Sequence, residues 1–199
     1  EMLGKDCSAY NICGEYKKMK VEEVKELQEY NSLPFAVAAV NINGDLNLGS
    51  MIRTSVIFGA EKFFIIGKKR YDKRSTVGAH NYINIQFIEE DVDEYPHLAF
   101  NDIVKDYEPH IIEQGGQNIN NFYFSVNNKI PPCVIFGSES NGFSENVINV
   151  AKDFNFKILS IPQYGVLRSL NVSSAASIVI NKVATDLIQE KDSIWNFYR

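Results

Sequence analysis

At 199 residues with 45% hydrophobic content, the chain can close one full-sized core but not two ordinary ones. No stretch approaches the roughly 20 continuous apolar residues of a membrane span, and the opening EMLGKDCSAY lacks a basic-then-apolar signal pattern, so the expectation is a soluble, intracellular protein, cytoplasmic unless a nucleus or organelle houses it. The net charge of −5 excludes nucleic-acid binding by bulk electrostatics, while Cys7, Cys13, Cys133 and three scattered histidines have neither metal-ligand nor disulfide-framework spacing.

Residues 1–33 are polar and charged and read as an N-terminal extension, helical at Val21 to Tyr30; residues 34–199 read as the main domain. Pro34 opens the apolar run PFAVAAVN, a strand of the kind buried on both faces of a parallel sheet. A helix from about Gly49 to Gly59 and a strand at Lys62 to Ile66 come next. Lys68, Lys69, Arg70, Lys73 and Arg74 then place five cations in seven residues, the leading candidate patch for contact with phosphates, with a weaker one at Lys17-Lys18-Met19-Lys20; a solvated loop is the alternative. A strand at Ile83 to Ile88 and a helix at His97 to Tyr107 precede a strand at His110 to Glu113, which Gln114-Gly115-Gly116 is expected to break. Cys133 to Phe136 and Phe156 to Ile161 are further strands, and the last helix runs from about Ser169 to Gln189. Strands alternating with helices predict an α/β fold with a mostly parallel sheet flanked by helices.

In such sheets ligands bind at the carboxyl ends of strands, which singles out three loops. In the first, Asn47 is a good helix cap, and Arg53 sits about one turn into the helix, where the dipole disfavours a cation. An arginine kept there serves something anionic, or is a plain surface residue. The second, Gly137 to Gly142, follows a buried strand and includes Glu139; its glycines allow positive φ and close approach of a ligand, as in many ordinary turns. It matches no dinucleotide fingerprint. The third runs from Ile161 through Pro162, Gly165, Ser169 and Asn171 to Ser173, where a strand breaks and a small-residue helix begins, with Ser169 as the expected cap.

Taken in order, these segments resemble the three signature motifs of the SpoU family of RNA methyltransferases, within the SPOUT superfamily of knotted folds. Asn47, Gly49, Arg53, Thr54 and Phe58-Gly59-Ala60 resemble the first motif, Gly137, Glu139 and Gly142 the second, and Ile161-Pro162, Gly165 and Ser169-Leu170-Asn171-Val172-Ser173 the third. Val77-Gly78-Ala79 also looks like a family segment. Gln163 departs from a common methionine and, with Arg168, looks more like the enzymes that methylate a guanosine ribose in the tRNA D-loop.

The resemblance implies a C-terminal trefoil knot, S-adenosylmethionine as cofactor, RNA (tRNA or rRNA) as substrate and a homodimer whose active sites borrow residues across the interface. It implies cofactor contacts at Gly137, Ile161 and Leu170, with Gly142, Gly165, Gln114 and Gly115 around them. The reaction is methyl transfer to a ribose 2′-hydroxyl, with no metal. The protein must position the hydroxyl and stabilise growing negative charge, and Arg53 is assigned to this electrostatic role because a guanidinium stays protonated. Ser169 and Asn171 would steady the arginine or the ribose, Asn47 would fix the first loop, and Glu139 either pairs with a cation across the dimer or faces solvent. A catalytically inactive RNA-binding paralogue is the alternative, although such a chain is expected to lose the arginine or the Ser/Asn pair.

Overall fold

The computed structural model describes residues 12–67, 70–126, 130–138 and 142–197. Its centre is β1, Leu33–Val40, in which every residue from Phe35 onward is buried. β2 (Ala60–Ile66) pairs with one edge of β1 and β5 (Pro132–Phe136) with the other. β3 (Asn84–Ile88) extends the sheet beyond β2, and β4 (Glu108–Asn118) and β6 (Lys157–Ser160) extend it beyond β5. The order is β3-β2-β1-β5-β4-β6, and all five pairings are parallel. Pro34 lacks an N–H for the ladder, and the β1–β2 register shifts between Leu33 and Ala36.

Side chains alternate across a strand, so β1 feeds two cores. Phe35, Val37 and Ala39 pack with Leu48, Met51 and Ile52 of α2 (Asp45–Ile57) and with Ala176, Val179 and Val183 of α5 (Val172–Phe197). Ala36, Ala38 and Val40 face Ala99, Phe100 and Ile103 of α3 (Pro96–Asp106) and Val147 and Ala151 of α4 (Glu145–Asp153). α1 (Val21–Tyr30) docks outside this sandwich through Val24, which packs with Tyr82 and Val56.

Three features differ from the sequence reading. The helix α4 was not expected. Its signals are ordinary ones: Ser144 accepts the Val147 N–H at 3.4 Å, and Val147, Val150 and Ala151 supply the buried stripe. They lie directly after a turn-rich segment that masks the helix start. Nor does β4 end at Gln114-Gly115-Gly116. It continues to Asn118, with Leu159 of β6 pairing first with Ile112 and again with Gln117. Gly116 marks a close approach of backbones, since a Cβ there would lie 2.6 Å from the Ile158 carbonyl oxygen. Finally, α5 begins at Val172, three residues after Ser169.

The segment from Phe122 to Val126 is an irregular strap strung along α5. The Phe124 and Val126 N–H groups donate to the buried carboxylates of Asp186 and Glu190, each at 3.0 Å. Asp186 also accepts from Lys182 at 2.7 Å. Replacing Asp186 by Ala strands a buried N–H and an ammonium group together. The expected loss is about 2–3 kcal/mol of stability, read as a lower urea midpoint at constant m-value.

Candidate active site

The middle of β4 and the carboxyl ends of β5 and β6 open onto a cavity of about 790 Å³, of a size that suits a small ligand. Ile112, Phe136, Ile161 and Val172 give it apolar walls, while the loops after β5 and β6 supply bare backbone at Gly137, Gly142 and Gly165. A side chain on Gly137 would press against the backbone of Gly142 at 3.0 Å, and Gly142 itself holds φ +61, which favours glycine. Gln114, Leu170 and Ser169 also line this cavity, whereas Gly115 does not. Glu139 lies outside the described residues.

The cavity also receives Glu113, which the sequence reading passed over. Its carboxylate accepts the Gln114 N–H at 2.8 Å and the Phe143 N–H at 3.3 Å. The available signal was a charged residue at the carboxyl end of a buried strand, the place where α/β sheets bind ligands. The Gln114 side chain reaches across to donate to the Arg168 carbonyl oxygen, tying the middle of β4 to the third loop.

Asn47, Arg53 and Asn171 do not line the cavity, and each has a defined place beside it. α2 starts earlier than the sequence suggests, with Gly44 as its cap, so Asn47 stands in the first turn. Its Oδ1 accepts from the Asn171 Nδ2 at 3.1 Å. Asn171, not Ser169, caps α5: its Oδ1 accepts the Ser173 N–H at 3.0 Å and the Ser174 N–H at 3.3 Å. One side chain thus starts α5 and ties it to α2, a link repeated between Thr54 and Ser177 at 3.4 Å. Arg53 projects from α2 into solvent, one face of the helix presenting Leu46, Ser50, Arg53 and Ile57 together.

The basic loop packs against the same helix. A Cβ on Gly49 would meet the Ser75 backbone at 2.5 Å, and the Asp72 N–H donates to Asp45 of α2 at 3.0 Å. Lys68 and Lys69 lie outside the described residues; Arg70, Lys73 and Arg74 are exposed. Arg74 is already engaged, since its Nε donates to Asp72 at 2.9 Å, and this side-chain bond, with the backbone N–H of Arg74, holds the Asp72 carboxyl down at about 2. Between these residues Tyr71 stacks on Phe87 at 6.3 Å, and burial raises its phenol to about 12. Among the described residues no group of three or more His, Cys, Asp or Glu side chains is placed to hold a metal, and no helix is long and apolar enough to cross a membrane.

Comparison with known proteins agrees with this arrangement. The family model of the SpoU rRNA methylase family matches residues 34–181. A tRNA (guanosine(18)-2′-O)-methyltransferase of Aquifex aeolicus (strain VF5) is 24% identical over 168 residues, 81% of this chain and 74% of that protein. Among solved structures, the A. aeolicus TrmH/SpoU tRNA-modifying enzyme superposes with a TM-score of 0.68 at 21% identity, covering 86% of this chain and 84% of its own. An AdoMet-bound rRNA methyltransferase from Sinorhizobium meliloti gives 0.62 at 19% identity over 80% of this chain, which spans 59% of the length of that one. The match over most of the chain, on the same loops that build the cavity, shows that it belongs to the SpoU rRNA methylase family, RNA 2′-O-methyltransferases that use S-adenosylmethionine.

Proposed function

We propose that residues 34–199 form a tRNA ribose 2′-O-methyltransferase unit, with a D-loop guanosine as the preferred target, and that residues 1–33 are an extension docked on it through α1. The observation that carries this reading is the bridge from Asn47 to Asn171, which holds the helix bearing Arg53 against the loop of Ser169 at the mouth of the cavity. The target follows from the tRNA enzyme among the relatives and from Gln163 and Arg168, and a tRNA substrate in turn favours an intracellular setting. The cavity fits S-adenosylmethionine in volume, in apolar walls and in the glycine backbone at its two loops.

Bound in the cavity, the cofactor supplies an electrophilic methyl group and a neutral thioether leaving group. The chain supplies position and field. Gly137, Gly142, Ile161, Gly165, Leu170 and Gln114 hold the cofactor, with Gly115 at its edge. Arg53 directs its guanidinium at the 2′-oxygen and the neighbouring phosphate, stabilising charge as the O–C bond forms. Ser169 steadies the ribose, Asn171 and Asn47 set the distance between the two helices, and Glu139, outside the described residues, either pairs with a cation across the interface or faces solvent. The C-terminal knot belongs to the same proposal: after β6 the chain passes Gln114 and then packs α5 against α2 and β1.

A homodimer completes the site. Arg53 stands on an exposed face of α2 with Leu46 and Ile57, 78% and 69% exposed, and the third loop offers Tyr164 and Leu167, 92% and 79% exposed. Exposed apolar groups on α2 and on the third loop support an interface between copies. Sedimentation equilibrium is expected to give twice the monomer mass, and a fully active monomer would remove this part of the proposal.

Purified protein with labelled S-adenosylmethionine and tRNA lacking modification is expected to label one ribose. Arg53→Ala should cut the single-turnover rate by at least about a hundredfold while cofactor affinity holds, because a charged donor aimed at a developing oxyanion contributes on the order of 3 kcal/mol in the transition state. A normal rate in that variant would make the arginine structural. For the basic loop, replacing Lys68, Lys69, Arg70 and Lys73 by Gln should weaken tRNA binding and flatten its salt dependence, since fewer counterions are released. Arg74, already paired with Asp72, should contribute least to that slope. An unchanged slope in filter-binding titrations would place the RNA elsewhere.

A further inference from the structure

We infer that Glu113 is a specificity-determining residue of the cofactor cavity, favouring the positively charged methyl donor over its demethylated product. The inference rests on the reading that this cavity holds S-adenosylmethionine. Two backbone N–H groups, of Gln114 and Phe143, fix the carboxylate in the middle of β4, at 2.8 and 3.3 Å. A carboxylate offers about four lone-pair sites, so these two bonds leave acceptor capacity for a ligand. The neighbouring loop lies close beside it, because a Cβ on Gly142 would collide with Glu113 Oε2.

The charge in the cavity is sparse. Among the described residues that line it, only Glu113 and Arg168 carry charge, which makes Glu113 the one anionic group. The rest of the wall is apolar, hydroxyl, amide or bare backbone. Methyl transfer breaks the S–C bond with its electron pair remaining on sulfur, forms the C–O bond and releases the 2′-hydroxyl proton. The donor therefore carries a sulfonium charge that the product lacks. A carboxylate on a partly desolvated wall acts on that difference, since charge interactions there are screened less than in water. Dipoles of serine hydroxyls or backbone groups supply no comparable discrimination by net charge. The consequence is tighter binding of fresh donor and easier release of spent product.

Calorimetry on the full chain with S-adenosylmethionine, S-adenosylhomocysteine and sinefungin, whose amine restores a positive charge near the sulfonium position, tests this. Glu113→Gln should reduce affinity for the two charged ligands by about tenfold relative to S-adenosylhomocysteine, and added salt should narrow the difference in the wild type. Glu113→Asp keeps the charge and should preserve most of the preference even if every affinity drops, which separates electrostatics from damage to the loop. Equal losses for all three ligands in Glu113→Gln, or no losses, would overturn the inference. Wild-type protein that binds none of the three would instead overturn the cofactor reading on which it rests.

Discussion

A parallel pairing on both edges of β1 is the constraint from which the rest of the structure follows. Strands that run the same way cannot be joined by hairpins, so the chain between successive strands must return to the amino edge before it pairs again, and those returns are α2, the basic loop with its 3-10 turns, α3, the segment that includes the 122–126 strap, and α4. The helices then cover both faces of the sheet, which is why Phe35 to Val40 can be apolar without alternation. The same constraint gathers all the strand-end loops on one edge. Residues far apart in sequence, Glu113, Gly137 and Ile161, reach a single cavity because each lies in or directly after a strand of one orientation.

On that edge the positions are set by polar links more than by packing. Asn171 holds two exposed N–H groups of α5 with one oxygen and gives its own amide hydrogen to Asn47, so the helix start and the helix-to-helix distance are fixed by the same side chain. An Asp would still cap α5 but could not donate to Asn47, and a Ser would be too short to do both. Farther along α5 the logic changes from capping to burial: Asp186 and Glu190 take the N–H groups of a strap that has no strand partner, which is how an irregular segment stays buried without stranded donors.

The strands, α1, α3 and the motif loops were legible in the sequence because each depends on local chemistry, such as an apolar run, a Pro or Gly, or a cap. What was misread depends on contacts distant in sequence. Gln114-Gly115-Gly116 has the composition of a breaker, yet Gly116 is there so that β4 and β6 can approach, and nothing near it in the chain reports that. Ser169 is as good a cap by type as Asn171, but it is Asn171 that caps α5 while also donating to Asn47, a partner 124 residues away that local sequence does not report. Six of the seven cofactor residues inferred from the motifs line the cavity, the exception being Gly115. Glu113 was missed because a lone glutamate in a strand that turns outward reads as solvent-facing until the glycine loop beside it is placed.

The basic loop shows how the charge of a segment can mislead when read as a sum. Asp72 sits among the five cations and lowers their summed charge by one, but its part is to fix the segment in place. Its N–H binds Asp45 on α2 and its carboxylate draws in the Arg74 guanidinium, so the loop is pinned to the helix that carries Arg53. Gly49 removes the last obstacle by letting Ser75 lie directly on that helix. A flexible chain of lysines would attract RNA without registering it, because the entropy of ordering the loop would be lost on binding. With the loop pinned to α2, Arg70 and Lys73 stand at a fixed separation from Arg53, so under the proposed function a phosphate held by either would align one ribose rather than merely attract the RNA.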